Sequence, residues 1–493
     1  MRVVFGGPGT GKTTHLLGVV REALEAGVPA GQIAYMAFTR KAANEAKERA
    51  AKQFGLKPRD LPYFSTLHSM AYRQLGISGA NLMGAEDFNE LGDLLQLQFV
   101  ASYNHLDGPP TSGPKGSRLL QVIGYARSRN IPLADAWRRA GEAVNWWELV
   151  QLQEALETFK EATGKLDFHD LIDEYAKAGQ PLPVKLGIID EAQDLTVRQW
   201  QAVHRAFHSC PDVVVGGDDD QAIYRWSGAS VETFLDLAHR PGVERTVLSK
   251  SHRLPRRVFA LANEISARIG NREPKDWQPA DREGRVEWIA HPGDVDLTAG
   301  TWLLLARNGH HLKEFVQTCR VQGVKYNTAS GPSIPANHLK AIRGWEQLRK
   351  GKAVAKGTAK AVATFNPDLD PADIVEDGNY PPEALLPGPP AEAPFWHDAL
   401  SLIPIEDREY YLTIMRRGER LQDPARVTVG TIHSAKGGEA DNVVLRVDMT
   451  QRSFTGYMLN PDDEARVFYT GLTRAQENLF LVAPQGVRDY PFQ

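Results

Sequence analysis

The run Gly6-Gly7-Pro8-Gly9-Thr10-Gly11-Lys12-Thr13-Thr14 sets permissive backbone, an ammonium group and adjacent hydroxyls side by side. Gly6, Gly11, Lys12 and Thr13 satisfy G-x-x-x-x-G-K-[ST], the pattern of a loop whose amides close around phosphate oxygens. Within it, Lys12 is placed for the outer phosphates and the Thr13 hydroxyl for Mg2+. A plain Gly-rich turn would share the glycines without needing the lysine and hydroxyl that follow them. The pattern implies a nucleoside triphosphate but not what it is used for. A second cluster, Asp190-Glu191-Ala192-Gln193-Asp194, follows the apolar run Leu186-Gly187-Ile188-Ile189. Carboxylates at the C-terminal end of a buried strand stand where parallel sheets bind ligands. Asp190 suits a shared Mg2+ site with Thr13, and Glu191 suits orienting or deprotonating an attacking water. A third cluster, Asp218-Asp219-Asp220-Gln221, follows Val213-Val214-Val215-Gly216-Gly217 and runs on into Tyr224 and Trp226. Gln221 can sense a terminal phosphate from such an edge, and the two rings can offer faces to bases or serve as packing.

These side chains need strands that end together and helices that cover them. Val3-Val4-Phe5 reads as a short strand before the loop, and an amphipathic helix is predicted from His15 to Ala26, stopped by Gly27. Further strands are predicted at Ile33 to Phe38, Leu186 to Ile189, Val213 to Val215, Trp302 to Leu305, Val427 to Val429 and Leu479 to Val482, with a helix starting at Arg40. The alternation implies an α/β fold with parallel sheets. Residues ~75 to ~165 carry helical periodicity instead, broken by a Gly/Pro-rich stretch at Asp107 to Gly116. Residues ~331 to ~424 hold eight prolines between Pro367 and Pro394, which suggests an extended or mobile surface loop over a peptide-recognition segment.

At 493 residues, 42% hydrophobic and 24% charged, the chain has ample core for two to four domains. Its net charge of −4 gives no bulk signal for nucleic acid, so any basic surface must be local. Arg40, Lys41, Lys47, Arg49 and Lys52 fall on one predicted helix, and Arg416, Arg417 and Arg420 precede Val427; such runs also serve as solvated faces. Cys210 and Cys319 form no metal or disulfide pattern and read as reduced thiols. Nothing approaches the ~18 apolar residues of a membrane span or a signal peptide. A cytoplasmic protein without a membrane partner is expected, or one in the host cytoplasm if phage-encoded.

With these clusters in order, the chain resembles superfamily one DNA helicases of the UvrD/Rep/PcrA group. Gly6 to Thr14 is similar to the family's motif I, Ala37-Phe38-Thr39-Arg40-Lys41 to motif Ia, and Ser65-Thr66-Leu67-His68-Ser69 to the DNA motif after it. Asp190 to Asp194 resembles motif II and Gly217 to Gly228 motif III. Ser251-His252-Arg253-Leu254-Pro255 resembles motif IV, and Leu305-Ala306-Arg307-Asn308 the strand after it. Gly430-Thr431-Ile432-His433-Ser434-Ala435-Lys436-Gly437 resembles motif V and Tyr469-Thr470-Gly471-Leu472-Thr473-Arg474-Ala475 motif VI. The resemblance implies two RecA-like lobes, each carrying an inserted accessory subdomain. Residues 1–74 and 166–245 would form the first lobe and 75–165 its helical insertion. Residues 246–330 and 425–493 would form the second, with 331–424 as a reduced, Pro-rich insertion whose fold the sequence leaves open. Arg253 and Arg474 would act as arginine fingers from the second lobe, and Gln221 would couple phosphate to DNA. Phe38, Tyr224 and Trp226 would stack on bases; Thr39, Arg40, Thr66, His68, Thr431 and His433 would touch the DNA backbone; Glu439 would meet the nucleotide sugar.

The activity implied is an ATP-dependent DNA helicase and translocase, DNA-stimulated and using Mg2+, on single-stranded and tailed duplex DNA. The His-Ser-Ala-Lys-Gly form of motif V favours 3′-to-5′ movement. An ATP-switched clamp or remodeller on single strands is the alternative, and a small-molecule kinase with the same loop is a remoter one. Three departures fall on the base pocket. The chain starts at the first strand, without the upstream glutamine segment of relatives; His252 replaces a base-stacking tyrosine; and Thr14 replaces an arginine. Weak discrimination among nucleoside triphosphates is the expectation.

Overall fold

The computed structural model describes residues 1–99, 114–141 and 144–492. Of the break expected at Asp107 to Gly116, residues 107–113 lie outside the described residues. Six strands make the first sheet: β1 (Arg2–Gly6), β2 (Ile33–Ala37), β3 (Tyr63–Thr66), β4 (Leu186–Ile189), β5 (Asp212–Gly217) and β6 (Glu244–Leu248). Their order is β3-β2-β4-β5-β1-β6 and every pairing is parallel. Parallel neighbours need crossover connections, which here are helices packed on both faces. The central strands β1, β2 and β4 are accordingly apolar through nearly their whole length. Because β4, β5 and β1 are adjacent, the loops that leave their C-terminal ends converge at one edge.

The second sheet contains β7 (Arg285–Ile289), β8 (Trp302–Ala306), β9 (Tyr326–Thr328) and β10 (Gly331–Pro332); β11 (Val354–Ala355) and β12 (Asn379–Tyr380) form a separate two-residue ribbon. It is completed by β13 (Val427–Thr431), β14 (Ala440–Arg446) and β15 (Ala475–Val482), in the order β10-β9-β13-β8-β14-β15-β7. All its pairings are parallel except the short β9–β10 hairpin. The molecule therefore has two α/β lobes with parallel sheets, as the alternation implied.

Strands β3, β6, β7 and β14 are absent from the sequence-based expectation. All four carry polar residues, and β3, β6 and β7 are edge strands, where only one neighbour has to be satisfied and the apolar signal thins. The first helix runs Lys12–Glu25 and so begins three residues before the predicted start, because Gly11 adopts φ 78° and lets the loop turn directly into the helix.

Four helices, Ala85–Leu95, Lys115–Arg129, Leu133–Ala140 and Trp146–Thr163, build an insertion with its own core of Leu91, Leu119, Ile123, Leu149, Leu152 and Leu156. The Pro-rich stretch departs from the extended or mobile surface loop expected of it. Helices Ala336–Arg349, Lys356–Phe365 and Ile405–Arg416 surround it, and Leu385, Leu386, Trp396 and Leu400 along it are buried. Its prolines open short 3-10 turns at Pro371, Pro382 and Pro390, using the fixed φ at a turn start while apolar residues between them point inward.

Candidate active site

The phosphate loop is shaped by two glycines. Gly9 and Gly11 have φ of 72° and 78°, a region that costs an L-residue roughly 1–2 kcal/mol. Gly9 is constrained twice over, since a Cβ there would stand 2.2 Å from the Arg253 Cβ. The segment Ser251–Arg253 lies directly on the loop. Ser251 Oγ donates to the Pro8 carbonyl at 2.7 Å, and the His252 amide donates to the Gly9 carbonyl at 2.8 Å. The side of Gly7 is filled by the Trp277 ring, which a Cβ would meet at 2.9 Å.

Lys12 points back across the sheet edge and donates to Glu191 Oε1 at 2.7 Å, with Asp190 Oδ1 at 3.8 Å. Burial alone would lower the Lys12 pKa, but the Glu191 and Asp190 carboxylates outweigh it and hold the ammonium above its ordinary value. Burial pushes the Glu191 carboxyl up, yet Lys12 and Lys436 bring it down to about 2, so it is ionised across the neutral range. Glu191 itself sits at φ 56°. The other described non-glycine residues with positive φ, Gln96 and Asn130, cap helix ends, where that conformation is ordinary. A left-handed glutamate directly after a buried strand is strain held at the site. Asp190 accepts from Thr13 Oγ1 at 3.3 Å and from the Tyr35 hydroxyl at 2.7 Å. Thr13 and Asp190 are thus adjacent, as a shared cation requires. Among the described residues no three His, Cys, Asp or Glu side chains gather as a metal cage; a Mg2+ with one or two protein oxygens, completed by phosphate and water, needs none.

The far wall comes from the second lobe. Arg474 is 2% exposed, and its guanidinium donates to Gln221 Oε1 and, at 2.9 Å, to the Thr470 carbonyl. Burial and the nearby Arg253 bring its pKa down to about 9. Arg253 pairs with Glu439, whose other oxygen accepts from Gln476 at 2.8 Å, and the buried Arg253 Nε has no hydrogen-bond partner among the described residues. Lys436 bonds Asp194 and, at 2.7 Å, the Gln221 carbonyl, tying the end of β13 to two loops of the first lobe. The resulting cavity is about 690 Å³ and is lined by Gly6 to Thr14, Asp190, Glu191, Gln221, His252, Arg253, Glu439 and Arg474. That volume is ordinary for a small-molecule site. The glycine cradle, a buried ammonium beside two carboxylates and an unpartnered guanidinium nitrogen form a donor set suited to a triphosphate. Lys436, which lines this cleft, and the fully buried Gln193 behind it, which links Glu191 Oε2 at 2.5 Å to the Asp218 amide at 3.0 Å, were missed by sequence reasoning. Both lie inside motif runs, so their proximity to the phosphate loop was the missing signal.

The residues expected to meet DNA divide into two groups. Phe38, Thr39, Arg40, Thr66 and His68 line a second pocket of about 480 Å³, joined by Phe168, which sequence reasoning passed over. Phe168 is 47% exposed and meets His68 edge-on at 6.0 Å. Thr39 and Thr66 also cap helices, accepting from the Ala42 and Ser69 amides. Burial, followed by His169 and Arg40, lowers the His68 pKa to about 4. The second group is enclosed. Tyr224 is 4% exposed, stacks on Phe38 at 5.4 Å, and lies under the Lys436 ammonium. Its ring is thus largely enclosed in this arrangement, at the wall of the same cavity as Lys12. His433 is 2% exposed, held neutral by burial, and packed edge-on against Trp226. Only Trp226 and Thr431 of this group are partly open. Arg49 of the basic helix turns to the phosphate loop, donating to Thr14 Oγ1 at 3.0 Å.

Comparison with known proteins places two family models on the chain. Residues 1–241 match the UvrD/REP helicase N-terminal domain and residues 411–486 the UvrD-like helicase C-terminal domain. The chain is 26% identical over 312 residues to the putative ATP-dependent DNA helicase YjcD and 27% over 320 residues to the ATP-dependent DNA helicase PcrA, both of Bacillus subtilis. These alignments take in 60% and 61% of the chain but only 40% and 42% of those proteins. Against the ATP-dependent DNA helicase UvrD2 of Mycobacterium bovis it is 26% identical over 550 aligned residues, spanning 97% of the chain and 76% of that protein.

Proposed function

The chain belongs to the UvrD/REP helicase family, and we propose that it is an ATP-dependent DNA helicase whose cleft converts triphosphate hydrolysis into 3′-to-5′ movement on single-stranded DNA. One observation carries this reading: Arg474 of the second lobe bonds Gln221 of the first, within the cavity that holds Lys12 and Glu191. A guanidinium supplied from across a cleft neutralises charge that develops on a transferred phosphoryl group, a contribution of ~10³ to 10⁵ in rate. Mg2+, held by Thr13 and Asp190 with the substrate, would supply further neutralisation of that charge. Lys12 then exchanges its Glu191 partner for phosphate oxygens, which frees the Glu191 carboxylate to orient and deprotonate water. Gln221 reports the occupied cleft to the turn that carries Tyr224 and Trp226, and release of Arg474 lets the lobes part. Phe38, Phe168 and Trp226 supply sequence-tolerant stacking surfaces along the strand's path, with Arg40, Thr66, His68, Thr431 and His433 beside them.

The test is ATP hydrolysis with and without single-stranded DNA, run beside unwinding of 3′- and 5′-tailed duplexes. DNA-stimulated hydrolysis with displacement from the 3′-tailed duplex supports the reading. Stimulation without displacement assigns the chain to the clamp alternative, and hydrolysis indifferent to DNA removes the nucleic-acid role.

A further inference from the structure

One concentration of buried charge belongs to neither the phosphate loop nor the arginine fingers. Asp218, Asp219 and Asp220 are all fully buried, and a single ammonium, Lys275, touches each of them at 3.1, 2.7 and 2.7 Å. Arg272 adds a two-pronged contact to Asp220 at 2.8 and 2.6 Å, and the Glu273 amide donates to Asp219 at 2.8 Å. Lys275 and Arg272 come from the segment after helix Arg256–Ser266, which Trp277 anchors on the second-lobe side by donating to Asn263 at 3.1 Å. Burial and its acidic neighbours raise the Asp219 carboxyl to about 6 even with Lys275 in place, so the balance has little slack.

One of the three carboxylates reaches the cleft. Asp218 Oδ2 accepts from Gln221 Nε2 at 2.6 Å, while Gln221 Oε1 accepts from Arg474. A carboxylate only accepts and a guanidinium only donates, so this pair of partners fixes which way the amide faces. Among the described residues, Asp218 has no cation within ion-pair distance other than Lys275. We propose that Lys275 is a positioning residue for hydrolysis: it fixes the Asp218 carboxylate, which turns the carbonyl end of Gln221 toward Arg474 and so holds that guanidinium for the terminal phosphate. The proposal rests on the reading of Gln221 given above. Without Lys275, Asp218 repels its neighbours and the amide loses the contact that orients it.

Lys275→Met removes the charge at similar length, and Lys275→Met with Asp219→Asn removes it while restoring the charge count. Both are compared with Gln221→Ala and with the combination of all three changes. The expected result is a thermal midpoint for the paired variant close to that of the unaltered protein, with kcat still lowered about tenfold or more and the ATP KM within about threefold. A second readout needs no turnover: preference for a non-hydrolysable ATP analogue over ADP should fall in the paired variant as it does in Gln221→Ala. Adding Gln221→Ala to the paired variant should leave it no slower than Gln221→Ala alone, because both act through one amide. Asp218→Asn, which keeps the shape but loses the charge and one of the two acceptor oxygens, used by the Asp220 amide and Gln221 Nε2, should show the same loss and stands in if the Lys275 variants do not fold. Turnover that recovers with the thermal midpoint, or losses that multiply, would overturn the proposal and leave Lys275 a structural ion pair. A Gln221→Ala protein with unaltered kcat would instead remove the reading of Gln221, and this proposal with it.

Discussion

Glu191 holds a backbone conformation that its side chain disfavours and a charge state that its burial disfavours, the second secured by Lys12. Replacing it tests the hydrolytic step at its narrowest point. Glu191→Gln should retain binding of ATP analogue and DNA while kcat falls at least ~10²-fold, read by single-turnover hydrolysis; turnover near the unaltered rate would remove its role as base. His68 offers a pH test. Its folded pKa is brought down to about 4 against an unfolded value near 6.5, so the unfolded chain takes up the proton first as pH falls. The stability contributed is fully present above pH ~6.5 and is lost as pH drops toward ~4. His68→Asn should flatten the fall in thermal midpoint across that window, leaving the midpoint at pH 8 little changed. The base end of the cleft carries Thr14, bonded to Arg49, and the exposed His252, whose contact to the loop is through its backbone. With the grip concentrated on phosphates, kcat/KM for ATP and GTP should agree within about a hundredfold; a larger gap would place a base reader among these residues.

At the scale of elements, the insertion between β10 and β13 shows how a segment rich in proline becomes structure. Trp345 is 1% exposed, donates to the Pro394 carbonyl at 2.9 Å, and shares one apolar cluster with Leu304 and Val444 of the second sheet. The insertion is thus continuous with the lobe beneath it. Trp345→Ala should cost about 3–5 kcal/mol and lower a single cooperative transition of the whole second lobe. A separate early transition confined to the insertion, resolved by hydrogen exchange, would show that the shared cluster does not couple them. The first-lobe insertion differs, since its helices close around their own core.

For the molecule as a whole, the lobes meet through side chains that ligands can compete for. Arg474 to Gln221, Lys436 to Asp194 and Ser251 to Pro8 all cross the cleft at the phosphate loop or beside it. Such contacts are suited to rearrange with the occupant, because each ligand shifts the lobes only by its differential affinity for open and closed forms. Dyes placed on the exposed Lys52 and Lys313 positions, one per lobe, should report different transfer efficiencies for ATP analogue and ADP. Arg474→Lys should erase most of that difference, since an ammonium lacks the planar fork that spans Gln221 and Thr470. Equal signals for both nucleotides in the unaltered protein would rule out the cleft as the moving part.

The sequence alone determined the class of fold and marked the residues of the candidate site. Short motifs such as Gly6 to Thr14 are local: the residues that make the loop are the residues that bind, and apolar runs such as Ile188-Ile189 mark buried parallel strands without any partner in view. Tertiary structure decided which faces remain open and which charges meet. Tyr224 reads identically in sequence whether it faces solvent or lies under Lys436, and only packing between lobes enclosed it. The three consecutive aspartates carry no local mark of burial, and the ammonium that meets all three belongs to Lys275, more than fifty residues away. Burial and ion pairing depend on contacts distant in the chain, and no local pattern of residue types records them.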